Sequence, residues 1–193
     1  GVFVWNSGGS QGGVVQRNTM DNANRFGLIF GGVSGPWRLR SNRISATGER
    51  GLLVQSMNTE SQLTIDNNTV EGAVGSGIEL IDVLGMAEIT NNAIDKVQSI
   101  PLGGRDAPAS GFGMCILDSP RSNIEANQIR RTDLAGIVID LGQLQGLQQA
   151  IAPVINVGTN SFDGQAKFNV VIQNTGEHEP TGGDAGRSAG SSL

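Results

Sequence analysis

The 193-residue chain has no tyrosine, one cysteine (Cys115), one histidine (His178) and only two lysines, Lys96 and Lys167. A single cysteine excludes an intrachain disulfide framework and leaves the redox compartment open. No run approaches the 18 apolar residues of a membrane-spanning helix. A net charge of -5 with pI near 4.8 weighs against nucleic acid, whose phosphates require a basic surface. Aromatics make up only 4%, whereas glycine occurs 29 times. No G-x-y period accompanies it, so a collagen-like chain is excluded. Many glycines and few aromatics suit short strands and frequent turns. The length and a 37% hydrophobic content support one domain with a sizeable core.

Internal repetition organises what is present. Aligned on asparagine, the chain reads Val15-Gln-Arg-Asn18-Thr-Met20, Leu39-Arg-Ser-Asn42-Arg-Ile44, Ile65-Asp-Asn-Asn68-Thr-Val70, Ile89-Thr-Asn-Asn92-Ala-Ile94 and Ile124-Glu-Ala-Asn127-Gln-Ile129. A weaker sixth copy is Val157-Gly-Thr-Asn160-Ser-Phe162. An aliphatic residue precedes each Asn by three, and an apolar residue follows it by two. A second element opens on glycine: Gly27-Leu-Ile-Phe, Gly51-Leu-Leu-Val, Gly77-Ile-Glu-Leu, Gly113-Met-Cys-Ile and Gly136-Ile-Val-Ile. Four of these glycines lie nine residues after their Asn, and Gly113 follows an insertion. The period is about 24 to 26 residues, with three short strands per copy. Strands this short gain stability only by stacking into a continuous core.

This pattern resembles the pectin-lyase-like superfamily of right-handed parallel β-helix repeat proteins, over roughly residues 13 to 174. The expected fold is all-β: a right-handed parallel β-helix solenoid of about six coils, with three short parallel sheets and an Asn ladder. Residues 1–174 are read as the β-helix and 1–13 as a degenerate first coil. Insertions fall near 98–110 and 143–153, and 175–193 is a Gly/Ser-rich tail. The ladder Asn18, Asn42, Asn68, Asn92, Asn127 and Asn160 has two expected roles. Asn tolerates the left-handed conformation of a tight turn, and stacked amides hydrogen-bond from coil to coil. A leucine-rich-repeat horseshoe lacks its Leu consensus here, and a hexapeptide helix lacks its six-residue period.

The resemblance also assigns the strands to faces. The Gly-initiated strand is the first sheet, the strand before Asn the second and the strand after it the third. Alternation then makes the outer second and third sheets polar. The outer first sheet is instead mostly apolar, at Ile29, Leu53, Ile81, Cys115, Leu117 and Val138. A strand apolar on both sides is normally buried on both sides. The cover is either the 143–153 insertion, with Leu144, Leu147 and Ile151 at helical spacing, or another chain. Neither Trp5 nor Trp37 is read as part of this sheet.

The same resemblance implies polysaccharide chemistry on the first sheet. Candidate catalytic carboxylates are Glu79, Asp82, Asp118 and Asp140, with Lys96, Arg105, Arg121 and Arg131 as nearby cations. Asp82 and Asp118 share a repeat position, five after their glycines. Such a cluster suits calcium or acid–base work, although Asp is also common where strands turn. No other cofactor or metal is expected. The paired-aspartate and Gly-His-Gly motifs of polygalacturonase-like hydrolases and the Asp-Pro-His motif of alginate epimerases are missing. Glu177, His178 and Glu179 lie in the tail, outside the coils. Without a histidine nearby, Cys115 reads as a small apolar filler rather than a nucleophile.

The sequence therefore favours a non-catalytic β-helix scaffold or interaction subunit of an extracellular or surface assembly, docking through the outer first sheet. Its expected partner is another protein chain or copies of itself. The alternative is a polysaccharide lyase, hydrolase, epimerase or carbohydrate-binding relative. Neither end shows a clear polar cap, as expected for a piece of a longer β-helix or a subunit that stacks or docks.

Overall fold

A computed structural model describes residues 1–5, 12–100, 110–142, 153–164 and 167–173. Most of the 98–110 insertion, nearly all of 143–153, Arg105 and the tail with Glu177, His178 and Glu179 lie outside the described residues. The described residues contain 19 strands and no α-helix.

The strands wind around three parallel sheets. The first sheet holds seven: β1 (Val2–Trp5), β4 (Phe26–Gly31), β7 (Arg50–Met57), β10 (Ser76–Val83), β13 (Phe112–Leu117), β16 (Ala135–Asp140) and β19 (Phe168–Gln173). The second contains β2 (Gly13–Gln16), β5 (Pro36–Arg40), β8 (Gln62–Asp66), β11 (Met86–Thr90), β14 (Arg121–Glu125) and β17 (Val154–Val157). The third contains β3 (Thr19–Asp21), β6 (Arg43–Thr47), β9 (Thr69–Ala73), β12 (Ala93–Val97), β15 (Gln128–Thr132) and β18 (Ser161–Asp163). Each strand pairs with its counterpart one coil away, which makes six coils and one further first-sheet strand.

Register places like on like. Ile78 lies between Leu52 and Met114, Ile89 between Ile65 and Ile124, and Ile94 between Val70 and Ile129. These stacked aliphatics are fully or almost fully buried and form one core. The pleat turns alternate residues outward, and the second and third sheets present polar ladders to solvent. Thr90 donates to Asp66 at 3.1 Å, Ser45 to Asp21 at 2.8 Å and Lys96 to Glu71 at 2.6 Å. The Lys96 hydrogen bond holds the Glu71 carboxyl below its ordinary range, and the Arg131 hydrogen bond does the same for Asp95. Pairs this exposed are screened by solvent and add little to stability.

The asparagines form the expected ladder but not the left-handed turn. The residue before each of the first five takes that conformation: Arg17, Ser41, Asn67, Asn91 and Ala126, with φ between 54° and 57°. The ladder Asn itself turns its amide inward. Asn68 donates from its backbone N and from Nδ2 to Asn92 Oδ1, at 2.9 and 3.0 Å. Nδ2 also reaches the Leu39 carbonyl at 2.8 Å. The same bonds recur from Asn42 to Asn68, Asn92 to Asn127 and Asn127 to Asn160. The position thus demands an amide that both donates and accepts, which a turn former need not supply.

Candidate functional site

The outer face of the first sheet is built from two central columns of stacked side chains. One runs Phe3, Ile29, Leu53, Glu79, Cys115, Val138, Val171. The other runs Trp5, Gly31, Gln55, Ile81, Leu117, Asp140, Gln173. Leu53, Cys115 and Val138 are buried within the chain. Ile29, Ile81 and Leu117 are half-buried. Cys115 and Val138 pack with Phe112 and Ala135 in a small apolar cluster, flanked by Leu117, Leu134 and Val171. This cluster is separate from the solenoid core.

An exposed aromatic pair lies at the N-terminal end of this face. β1 pairs with β4, so Trp5 belongs to the first sheet, contrary to the expectation from sequence. Gly1 stands before Val2 as Gly27 stands before Leu28, but no asparagine copy accompanies it in the sequence, and for that reason its phase is hidden. Phe3 is 66% exposed and Trp5 40%. Their rings lie parallel within 10°, with centroids 6.0 Å apart. With Phe26, Ile29, Leu53 and Gln55 they line an open groove of about 300 Å³. Arg25 lies over the Phe26 ring, 5.0 Å from its centroid.

The candidate carboxylates lie along this face, and the Asp118 amide donates to the Asp140 carbonyl at 2.8 Å. Glu79 is buried and accepts a hydrogen bond from Arg50 at 3.0 Å. Arg50 also reaches Glu49, which pairs with Arg25 at 2.5 Å. The Arg25 hydrogen bond holds Glu49 below the ordinary carboxylate range. The result is a polar chain, Arg25–Glu49–Arg50–Glu79, that runs across the sheet edge into the apolar face. Asp140 is buried and accepts from the Gly142 amide at 2.9 Å and from Gln173 at 3.0 Å. Asp82 and Asp118 do share a repeat position, one residue beyond the paired Ile81 and Leu117. Both have left-handed backbones, with φ of 54° and 47°, as does Ser56 at φ 56° one coil earlier. Asp tolerates that conformation better than most residues, which accounts for its presence at the turn.

The candidate cations sit elsewhere. Lys96 and Arg131 belong to the third sheet, paired with Glu71 and Asp95, and Arg121 opens β14 of the second sheet. Among the described residues, no three potential metal ligands come together.

Cys115 is a buried thiol between Glu79 and Val138. Burial pushes its pKa well above the usual thiol range, and the negative charge of Glu79 adds to the shift. In the unfolded chain the thiol ionises near about pH 8.5, whereas in the folded chain it keeps its proton. Folding stability therefore falls as pH rises past that point, since the unfolded state then binds fewer protons. The folded chain should resist a thiol-specific disulfide reagent at pH 8 and react fully in denaturant. Rapid stoichiometric labelling of the folded chain would show that this part of the face is open.

Residues 1–104 match the family model described as the right handed beta helix region. No curated protein and no solved structure matches the chain. The family match spans more than half of the 193 residues, and the same stacked sheets continue beyond it to Gln173. The chain therefore belongs to the right-handed β-helix family.

Proposed function

We propose that this β-helix is a non-catalytic scaffold or interaction subunit of an extracellular or surface assembly, and that it docks a protein partner on the outer face of its first sheet. The observation that carries this reading is the exposed Phe3–Trp5 pair, continuous with half-buried Ile29. Exposed aromatic surface beside a buried apolar floor is the usual composition of an interface anchor. The buried stretch at Leu53, Cys115 and Val138 gives the anchor a rigid base, and Ile81 and Leu117 extend the contact. Glu79 is neutralised by Arg50, and Asp140 is held by an amide and a side-chain donor.

The Phe3–Trp5 pair also favours a second reading, a carbohydrate-binding β-helix, because parallel aromatic rings can stack on sugar faces. The two readings separate experimentally. A photoreactive residue at position 3 of the full chain, irradiated in a surface extract of the source organism, should give one discrete protein adduct. That adduct should disappear when Trp5→Ser is added. Saturable binding of acidic polysaccharides lost in Trp5→Ser, with no protein adduct, would replace the proposal with the carbohydrate reading. Depolymerisation of those polysaccharides that is abolished by Asp118→Asn would overturn the non-catalytic reading altogether.

A further inference from the structure

Two adjacent coils present arginines that the chain does not neutralise. Arg38 and Arg40 alternate outward on β5, and Arg43 opens β6. Arg17 stands at the turn one coil earlier, where its amide donates to the Arg40 carbonyl at 3.3 Å. All four are exposed. Among the described residues Arg17, Arg38 and Arg40 have no ion pair, and Arg43 reaches only Glu71, at 3.9 Å. The nearby carboxylates are engaged by other groups. Asp66 lies beside Arg40 in the ladder, yet it accepts from Thr90 at 3.1 Å and Asn91 at 3.0 Å. Glu71 accepts from Lys96 at 2.6 Å, and Asp21 from Ser45 at 2.8 Å. Arg40 turns away from Asp66 and donates to Gln16 Oε1 at 2.8 Å. Exposed cations this close repel one another, and an external anion that bridges them relieves the repulsion.

The surroundings restrict the shape of that anion. Along the solenoid axis the arginines give way to acids. On the second sheet Arg38 is followed by Thr64 and then Glu88, and Arg40 is followed by Asp66. Glu88 is two strand steps from Arg38, about 10 Å, which is within reach of an unscreened charge. A broad anionic surface, such as a membrane or a nucleic-acid duplex, would cover Glu88 and Asp66 together with the arginines. A narrow anion that runs parallel to the strands avoids both. Arg38 and Arg40 are two residues apart on an extended strand, about 6.8 Å. An extended peptide has the same two-residue rise, so carboxylates at its alternate positions stay in step with the guanidinium groups. Each guanidinium can then take one carboxylate through two parallel N–H donors. A polymer with a different repeat loses that register.

We infer that the corner where the second sheet meets the third is a separate docking surface, and that it takes an extended acidic segment of a protein partner, with Asp or Glu at alternate positions, laid along β5. Arg38 and Arg40 hold successive carboxylates, and Arg17 and Arg43 extend the positive field on either side of β5. Specificity comes from register, and the acidic coils that follow keep broader polyanions away. The corner points away from the outer face of the first sheet. It is therefore distinct from the groove of the proposed function, and either surface can fail without the other.

The test is fluorescence anisotropy of a labelled synthetic peptide of alternating Glu and Thr, titrated with the full chain. The peptide should bind saturably, and added salt should weaken it. Arg38→Gln combined with Arg40→Gln should weaken binding about tenfold. Because both side chains are exposed, that variant should keep the parent circular dichroism. A peptide of the same composition with its glutamates in one block should bind several-fold more weakly. In Arg38→Glu combined with Arg40→Glu the preference should reverse, toward a peptide of alternating Lys and Thr. Trp5→Ser should leave binding unchanged. An alternating peptide that does not bind, or that binds the Arg38→Gln, Arg40→Gln variant as well as the parent, would overturn the inference. So would equal binding of the block peptide, which would reduce the corner to bulk charge. Tighter arginine-dependent binding of polygalacturonate, or of vesicles rich in phosphatidylglycerol, would also overturn it and assign the corner to a polysaccharide or a lipid surface.

Discussion

Replacing Asn68 by alanine should be among the most destabilising single changes in this protein. The side chain is 1% exposed and takes part in five hydrogen bonds. Its Oδ1 accepts from Asn42 N and Nδ2, each at 3.0 Å. Its Nδ2 serves Leu39 O, Asp66 O and Asn92 Oδ1. Alanine leaves the Asn42 amide and the Leu39 carbonyl unsatisfied inside the solenoid. Each such group costs about 1–3 kcal/mol, so the total is about 4 kcal/mol. For a domain of this size that lowers Tm by about 10 °C. Asn18→Ala at the end of the ladder should cost less than half as much, because its Oδ1 receives no bond from a ladder asparagine. Thermal or denaturant unfolding of the two variants distinguishes a ladder from a row of turn formers. Equal losses at Asn18 and Asn68 would mean that the side-chain chain between coils carries little energy.

The second large effect should come from Gly77→Ala, and its sign is the informative part. At a compatible position, Gly→Ala stabilises by about 0.4–1 kcal/mol, because it restricts the unfolded chain. At Gly77 an added Cβ would stand 2.5 Å from Ile94 Cγ2 and 2.7 Å from the Gly113 carbonyl oxygen. The carbonyl belongs to the paired strand of the next coil, so it cannot move without shifting the sheet. The expected result is a loss of about 3 kcal/mol, the upper range for overpacking. Gly72→Ala offers a contrast. Its φ of +73° disfavours a side chain, but an added Cβ would meet nothing closer than the Ala46 backbone nitrogen at 3.6 Å. There the loss should be only the conformational term, about 1–2 kcal/mol. A Gly77→Ala variant as stable as the parent would show that neighbouring coils can slide apart to admit a methyl group.

These variants probe the two sequence signals that identified the repeat, and the structure changes the reason for each. The glycine that opens each first-sheet strand is conserved in the repeat by close approach, not by backbone conformation. The same clash recurs at Gly51, with the Gly77 oxygen at 2.6 Å, and at Gly113, with the Gly136 oxygen at 2.6 Å. The asparagine is required for its amide, and the left-handed turn belongs to the residue before it. Arg17 and Ala126 fill that turn as readily as Asn67 and Asn91 do. A signal can therefore locate a position correctly while its physical cause lies in a neighbouring coil.

The repeat in the sequence by itself determined the coil phase. From that phase followed three parallel sheets, the inward columns of Leu28, Leu52, Ile78 and Ile137, and the polar outer faces of two sheets. Local periodicity suffices for this because each coil contacts chiefly its own copies one step away. Three things were decided only by tertiary structure. The N-terminal strand opens on Gly1 but has no asparagine copy to phase it, so only its pairing with β4 placed Phe3 and Trp5 on the outer first sheet. Composition gave the expectation of a covered face, but alternation gives only the direction of a side chain, and only the structure shows Cys115 and Val138 buried while Ile29, Ile81 and Leu117 stay half-buried. The settings of Glu79 and Asp140 depended on partners far along the chain, Arg50 for Glu79 at a separation of 29 residues and Gln173 for Asp140 at 33. Strand phase is local and repeats, whereas the neighbours of an outward side chain are set by winding the chain and differ from coil to coil.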